Sequence, residues 1–134
     1  MKTNGTRRIS ILAAGLLLAL TGALAAQAPA ITRTVLQRAD VSWAGHEVVT
    51  AKADFPVNGS TGKHTHPGEE VSYVSEGTIS LEVAGSAAKT LKAGDTFIIP
   101  SGTVHNATAT GGAKAVVIAN YFVEKGKPLT TPVQ

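Results

Sequence analysis

The chain has 134 residues and no cysteine, which suits one ordinary globular domain and leaves no room for a second. Without cysteine there is no disulfide framework and no thiolate nucleophile or ligand, so any metal chemistry falls to His, Asp and Glu. The net charge of +3 is carried entirely by Lys2, Arg7 and Arg8; beyond them basic and acidic residues balance, which excludes the basic face that a nucleic-acid partner requires.

In chain order, Lys2, Arg7 and Arg8 form a positive start, residues 9–20 an apolar stretch, and Ala23-Leu24-Ala25 the small-residue pattern of a cleavage site. Residues 1–25 are therefore expected to be a signal peptide, and the mature protein periplasmic or secreted with no membrane anchor. The Arg7-Arg8 pair stands as in a twin-arginine signal, with Ser10 where that signal has Phe, so both export routes stay open.

Residues 26–45 read as an irregular N-terminal arm, with Val35, Leu36 and Trp43 as apolar anchors. Those anchors can cover a neighbouring copy, so a homodimer is expected. Residues 46–123 contain no helical stripe. Short runs rich in Val, Ile, Thr and aromatics recur at 47–55, 70–75, 78–83, 96–100, 104–108 and 114–123, separated by Gly, Asn and Pro; such spacing predicts an all-β sandwich or barrel. In the run 78–83, Ile79, Leu81 and Val83 share one face, as a half-buried strand requires. Phe97, Ile98 and Ile99 are consecutive and predict a strand covered on both faces. Tyr73, Phe97, Tyr121 and Phe122 are expected in the core. Residues 124–134 remain as a C-terminal tail.

The chemistry concentrates in the histidines. His64 and His66 lie two apart, so an extended segment projects both imidazoles to one face, and Glu70 shares their parity beyond a turn expected at Pro67-Gly68. Two nitrogens and a carboxylate suit a divalent first-row ion. Glu69 has the opposite parity and is expected in solvent. His46 precedes a strand and is expected at the surface.

The spacing of this segment, His64-Thr65-His66 with Glu70 four residues later and Gly77 seven beyond that, resembles the first signature of the cupin superfamily. Gly94, then Pro100, Gly102 and His105, resemble the second. Asn58 replaces a usual Gly of the first signature, and Ala109 a usual Asn of the second; neither is a ligand position. The resemblance implies a single double-stranded β-helix, or jelly-roll, barrel at residues 46–123, with His64, His66, Glu70 and His105 around one metal ion. Fe(II) or Mn(II) is the first expectation, with Zn, Ni or Cu as alternatives. It further implies a small-molecule substrate and dioxygenase-type chemistry with Glu70 as a catalytic base, or else a non-catalytic metal- or ligand-binding module. Oxalate decarboxylase-like chemistry on a dicarboxylate would call for a fork-shaped cation. The only arginines beyond the leader, Arg33 and Arg38, fall in the arm, so this chemistry ranks low unless one of them folds over the barrel mouth.

Overall fold

A computed structural model describes residues 26–134; the expected signal peptide lies outside them. Ten strands follow one another without a helix among the described residues: β1 (Thr32–Asp40), β2 (His46–Phe55), β3 (His64–Thr65), β4 (Gly68–Glu76), β5 (Thr78–Val83), β6 (Lys89–Lys92), β7 (Thr96–Ile99), β8 (His105–Ala109), β9 (Ala115–Glu124) and β10 (Thr131–Pro132). They form two five-stranded sheets, one ordered β1-β2-β9-β4-β7 and the other β10-β3-β8-β5-β6. All strand pairs are antiparallel. The expected all-β jelly roll is what the chain forms.

Strict alternation builds the interior. Val49, Ala51, Ala53 and Phe55 of β2 face inward, as do Ala115, Val117, Ala119, Tyr121 and Val123 of β9. β8 contributes Ala107 and Ala109, and β5 contributes Ile79 and Leu81. Alanine recurs on these inner faces where larger aliphatics would fill the space between the sheets. The small side chains leave volume that the imidazoles of the site occupy.

Glycine is dictated where strands crowd. A Cβ on Gly68 would stand 1.9 Å from the Phe122 carbonyl oxygen across the β4–β9 pair. At Gly77, φ is +73° and a Cβ would meet the Lys114 carbonyl oxygen at 2.2 Å, so the β4–β5 turn accepts no side chain. Asn58, standing in for a usual Gly, takes the left-handed conformation, with φ at 59°.

Four expectations are corrected. Residues 32–40, read as part of an irregular arm, form β1 and pair with β2 from Thr32↔Asp54 to Asp40↔Glu47. Gly68 is not part of a turn but the first residue of β4, opposite Val123. β7 is covered on one face only, and Ile98 is 66% exposed. Tyr73 is likewise on the outer face of β4, 45% exposed, rather than in the core.

Candidate metal centre

The chain passes from one sheet to the other between β3 and β4, crossing at Pro67. Proline suits the crossing because it has no amide hydrogen to leave unpaired between the sheets. His64 and His66 arrive from the β3 side and Glu70 from β4, facing each other across the barrel. His105 opens β8, directly paired with His64. All four side chains are buried. Glu69, at the opposite parity, is exposed. His46 lies apart: its Nδ1 is 2.9 Å from the Ala44 carbonyl oxygen and its ring packs edge-on to Trp43.

The hydrogen bonds of the three buried imidazoles define what the site can hold. His64 Nδ1 lies 2.9 Å from the Gly62 carbonyl oxygen, His66 Nδ1 2.6 Å from that of Leu129, and His105 Nδ1 2.9 Å from that of Thr103. A carbonyl oxygen only accepts, so each Nδ1 carries a hydrogen, and Nε2 is the nitrogen left in each ring to bind an ion. These Nε2 atoms turn toward one another. His64 Nε2 is 3.2 Å from His66 Nε2, His105 Nε2 is buried without a hydrogen-bond partner, and one ligand nitrogen from each ring lies within 4.8 Å of the others. Burial lowers the His64 pKa to about 4, helped by the neighbouring His105, His66 and Arg33 charges and opposed by the Gly62 hydrogen bond. His64 is therefore neutral at physiological pH. Converging Nε2 atoms fit a cation, and carbonyls that anchor the far nitrogen of each ring are the usual outer layer of a metal site.

Glu70 closes the arrangement. Its Oε2 is 3.0 Å from His66 Nε2 and 3.3 Å from His105 Nε2. The second approach is too poorly aligned for a hydrogen bond and leaves His105 Nε2 unsatisfied. Ser72 Oγ donates to Glu70 Oε1 at 2.6 Å. Burial alone would raise the Glu70 carboxyl pKa, but the His105 and His66 imidazoles and the Ser72 hydroxyl facing it hold it well below the usual carboxylate range. One oxygen is thus anchored by Ser72 and the other is free to face the imidazole nitrogens.

Around these groups lies a cavity of about 20 Å³ whose walls include Arg33, Thr61, Phe97, Val117 and Tyr121. That volume suits an ion and about one or two water-sized atoms. Tyr121 packs against His66, with ring centroids 4.6 Å apart. Its phenol pKa is pushed up to about 12, first by burial and then by the Glu70 charge, with Arg33 acting the other way; it therefore keeps its proton.

Six participants escaped sequence reasoning. Ser72 had a signal, since it shares Glu70's parity two residues on. Tyr121 was expected as core alone. Leu129 and Thr130, in the expected tail, hold His66 Nδ1 and Arg33 Nη1. Arg33, expected in an irregular arm, points into the cavity because β1 sets it opposite the inward-facing Ala53. Asn106 has a positioning role: its Oδ1 accepts from Ser60 Oγ at 2.8 Å and Thr61 Oγ1 at 3.0 Å, tying the loop before His64 to β8.

Comparison with known proteins gives the family and the fold. Residues 51–126 match the family model of the cupin domain. A germin-like protein of Arabidopsis thaliana, subfamily 2 member 1, is 37% identical over 79 residues, 55% of this chain and 36% of that protein. The chain thus spans little more than a third of that curated relative's length. Among solved structures, a conserved double-stranded β-helix protein from Klebsiella pneumoniae superposes with a TM-score of 0.62 at 19% identity, over 76% of this chain and 85% of the other. Oxalate oxidase in complex with the substrate analogue glycolate superposes with a TM-score of 0.58 at 26% identity, over 64% of this chain and 46% of the other.

Proposed function

We propose, from the premise that the chain belongs to the cupin family, that it is an exported metal-dependent protein acting on a small molecule, with one divalent ion held by His64, His66, His105 and Glu70. The observation that carries the reading is the set of three buried imidazoles whose Nδ1 atoms are tied to carbonyls and whose Nε2 atoms are turned together. Three nitrogens and one oxygen favour Fe(II) or Mn(II), with Zn, Ni or Cu also compatible with the donor set. Export is proposed from the leader at residues 1–25.

When bound, such an ion supplies Lewis acidity and, for Fe or Mn, a place for oxygen and an enol or dicarbonyl substrate to meet. The protein's own contributions follow from the geometry. Glu70 is ionised and its Oε2 can accept a proton from substrate if its hold on the ion is weak. Tyr121 retains its hydroxyl proton and can donate a hydrogen bond into the cavity. The inner faces of Val, Ala and Phe exclude water.

The reaction class proposed is dioxygenation, in which both oxygen atoms enter the organic product and no external reductant is consumed. Oxygen uptake by Fe(II)- or Mn(II)-loaded protein over a panel of enols, phenols and dicarbonyls tests it. Uptake that is lost in Glu70→Gln supports the proposal. Stoichiometric metal with no uptake across the panel favours the second reading, a non-catalytic metal- or ligand-binding module. The small volume around the imidazoles speaks for that second reading, because it seats an ion more readily than a substrate.

A further inference from the structure

Arg33 is the only arginine of the described residues that enters the barrel; Arg38 lies outside and pairs with Glu47. The β1–β2 register sets Arg33 opposite buried Ala53, and its side chain lines the same cavity as His64, Glu70, His105 and Tyr121. Its Nη1 donates to Thr130 Oγ1 at a long 3.5 Å, and the guanidinium also interacts with the Tyr121 hydroxyl. Its Nε is buried and donates to nothing. No carboxylate stands within ion-pair distance of it among the described residues. Glu70 faces the imidazoles and Ser72 instead.

A guanidinium facing a cavity with an unsatisfied donor and no counter-ion is costly unless an anion completes it. Its planar fork presents Nε–H beside an Nη–H, the spacing that a carboxylate's two oxygens match. The Tyr121 hydroxyl beside it adds a further donor and no charge. Among the residues around the cavity, Glu70 is the only acid, and it is already committed.

We infer that Arg33 is a specificity-determining residue that anchors the carboxylate of a small organic acid in the cavity, with the rest of that ligand directed at the imidazole cluster. The inference rests on the metal reading above for the role of the other end, but Arg33's own part is separable from it. The cavity of about 20 Å³ seats one or two atoms beside an ion, so the side chains around it must yield for a ligand as large as glycolate to bind. A merely structural Arg33, strapping β1 to the C-terminal segment through Thr130, would not discriminate ligands by charge.

The test is calorimetric titration with glycolate and with its neutral isostere glycolamide, on Mn(II)-loaded and metal-free protein, for wild type, Arg33→Gln and Arg33→Lys. Metal content and melting temperature are measured on each. The expected result is that wild type prefers glycolate, and that Arg33→Gln loses roughly 10- to 100-fold in glycolate affinity, the worth of charge-assisted hydrogen bonds. Metal content and glycolamide binding stay unchanged, and Arg33→Lys recovers only part of the loss. Wild-type protein that fails to prefer glycolate, or a folded, metal-loaded Arg33→Gln with wild-type glycolate affinity, overturns the inference while leaving the metal reading intact. Should Arg33→Gln not fold, Arg33→Lys decides: reduced discrimination supports the anchor and unchanged discrimination overturns it. Should wild type take up no Mn(II), the metal reading falls, and the metal-free titration judges Arg33 by whether glycolate binding depends on it.

Discussion

Glu70 and Glu69 are adjacent in sequence and opposite in circumstance, and the reason is strand parity. Glu70 points between the sheets at the imidazoles, while Glu69 points out to water. Replacing Glu70 by Gln is expected to weaken metal retention by at least about tenfold, since a neutral amide oxygen is a poorer partner for a divalent ion than a carboxylate. Glu69→Gln is expected to leave retention unchanged; dialysis against a chelator followed by elemental analysis measures both. The pH dependence has a definite sign. The metal-free fold depresses His64 from 6.5 to about 4, so below about pH 6.5 the unfolded chain binds the proton that the folded chain refuses, and stability falls as pH drops toward 4. Glu70, held low, loses its contribution in the same direction as pH falls through its depressed value. The melting temperature of metal-free protein is therefore expected to decline from pH 7 to pH 4, with a shallower decline in His64→Gln. A melting temperature that rises on acidification would contradict the burial of a neutral His64.

At the scale of elements, the histidine spacing, the runs that form β2, β8 and β9 and the alternation of β5 were legible, because strands buried on one face write their parity into the sequence. β1 was not. Its register shifts between Val35 and Gln37, so Val35 pairs with Ala51 but Gln37 with Thr50, and the bulge breaks the alternation from which the inward direction of Arg33 could have been read. β6 escaped because an edge strand of Lys89-Thr90-Leu91-Lys92 offers one inward apolar residue between guarding lysines. The run Phe97-Ile98-Ile99 misled in the other direction, since an exposed Ile98 looks no different in sequence from a covered one. The C-terminal segment is the element with the largest functional surprise. β10 pairs with β3 through Thr131↔Thr65 and Pro132↔His64, and Leu129, packed on the core beside Val49 and Tyr121, carries the carbonyl that holds His66 Nδ1. Truncation after Lys127 is expected to lower metal affinity about 10- to 100-fold, the usual effect of losing a partner that orients a ligand. Circular dichroism should still report the β fold. Unchanged affinity in the truncated chain would show that His66 is oriented without the segment.

For the whole molecule, the decisive feature is how the two sheets share the site. His64 and His105 sit on one sheet and Glu70 on the other, so no single hairpin contains a binding site, and the groups meet only when the barrel has closed. Alanines on the inner faces keep the space open, and the carbonyls of Gly62, Thr103 and Leu129 aim the rings into it. The two signatures carried this convergence in sequence, because each marks a segment that the jelly roll folds against the other. The groups around it, Arg33, Tyr121 and the C-terminal carbonyl, come from strands outside both signatures, and only the closed fold brings them in. The central claim is that this closed site holds one metal ion on three imidazole nitrogens. Elemental analysis of the folded protein after equilibration with Fe(II), Mn(II) or Zn(II) and gel filtration tests it most directly, alongside His64→Ala, His66→Ala, His105→Ala and His46→Ala. The expected result is close to one ion per chain in wild type and in His46→Ala, and loss of the ion in each of the other three; folded wild type without metal, or full occupancy in His105→Ala, would contradict it.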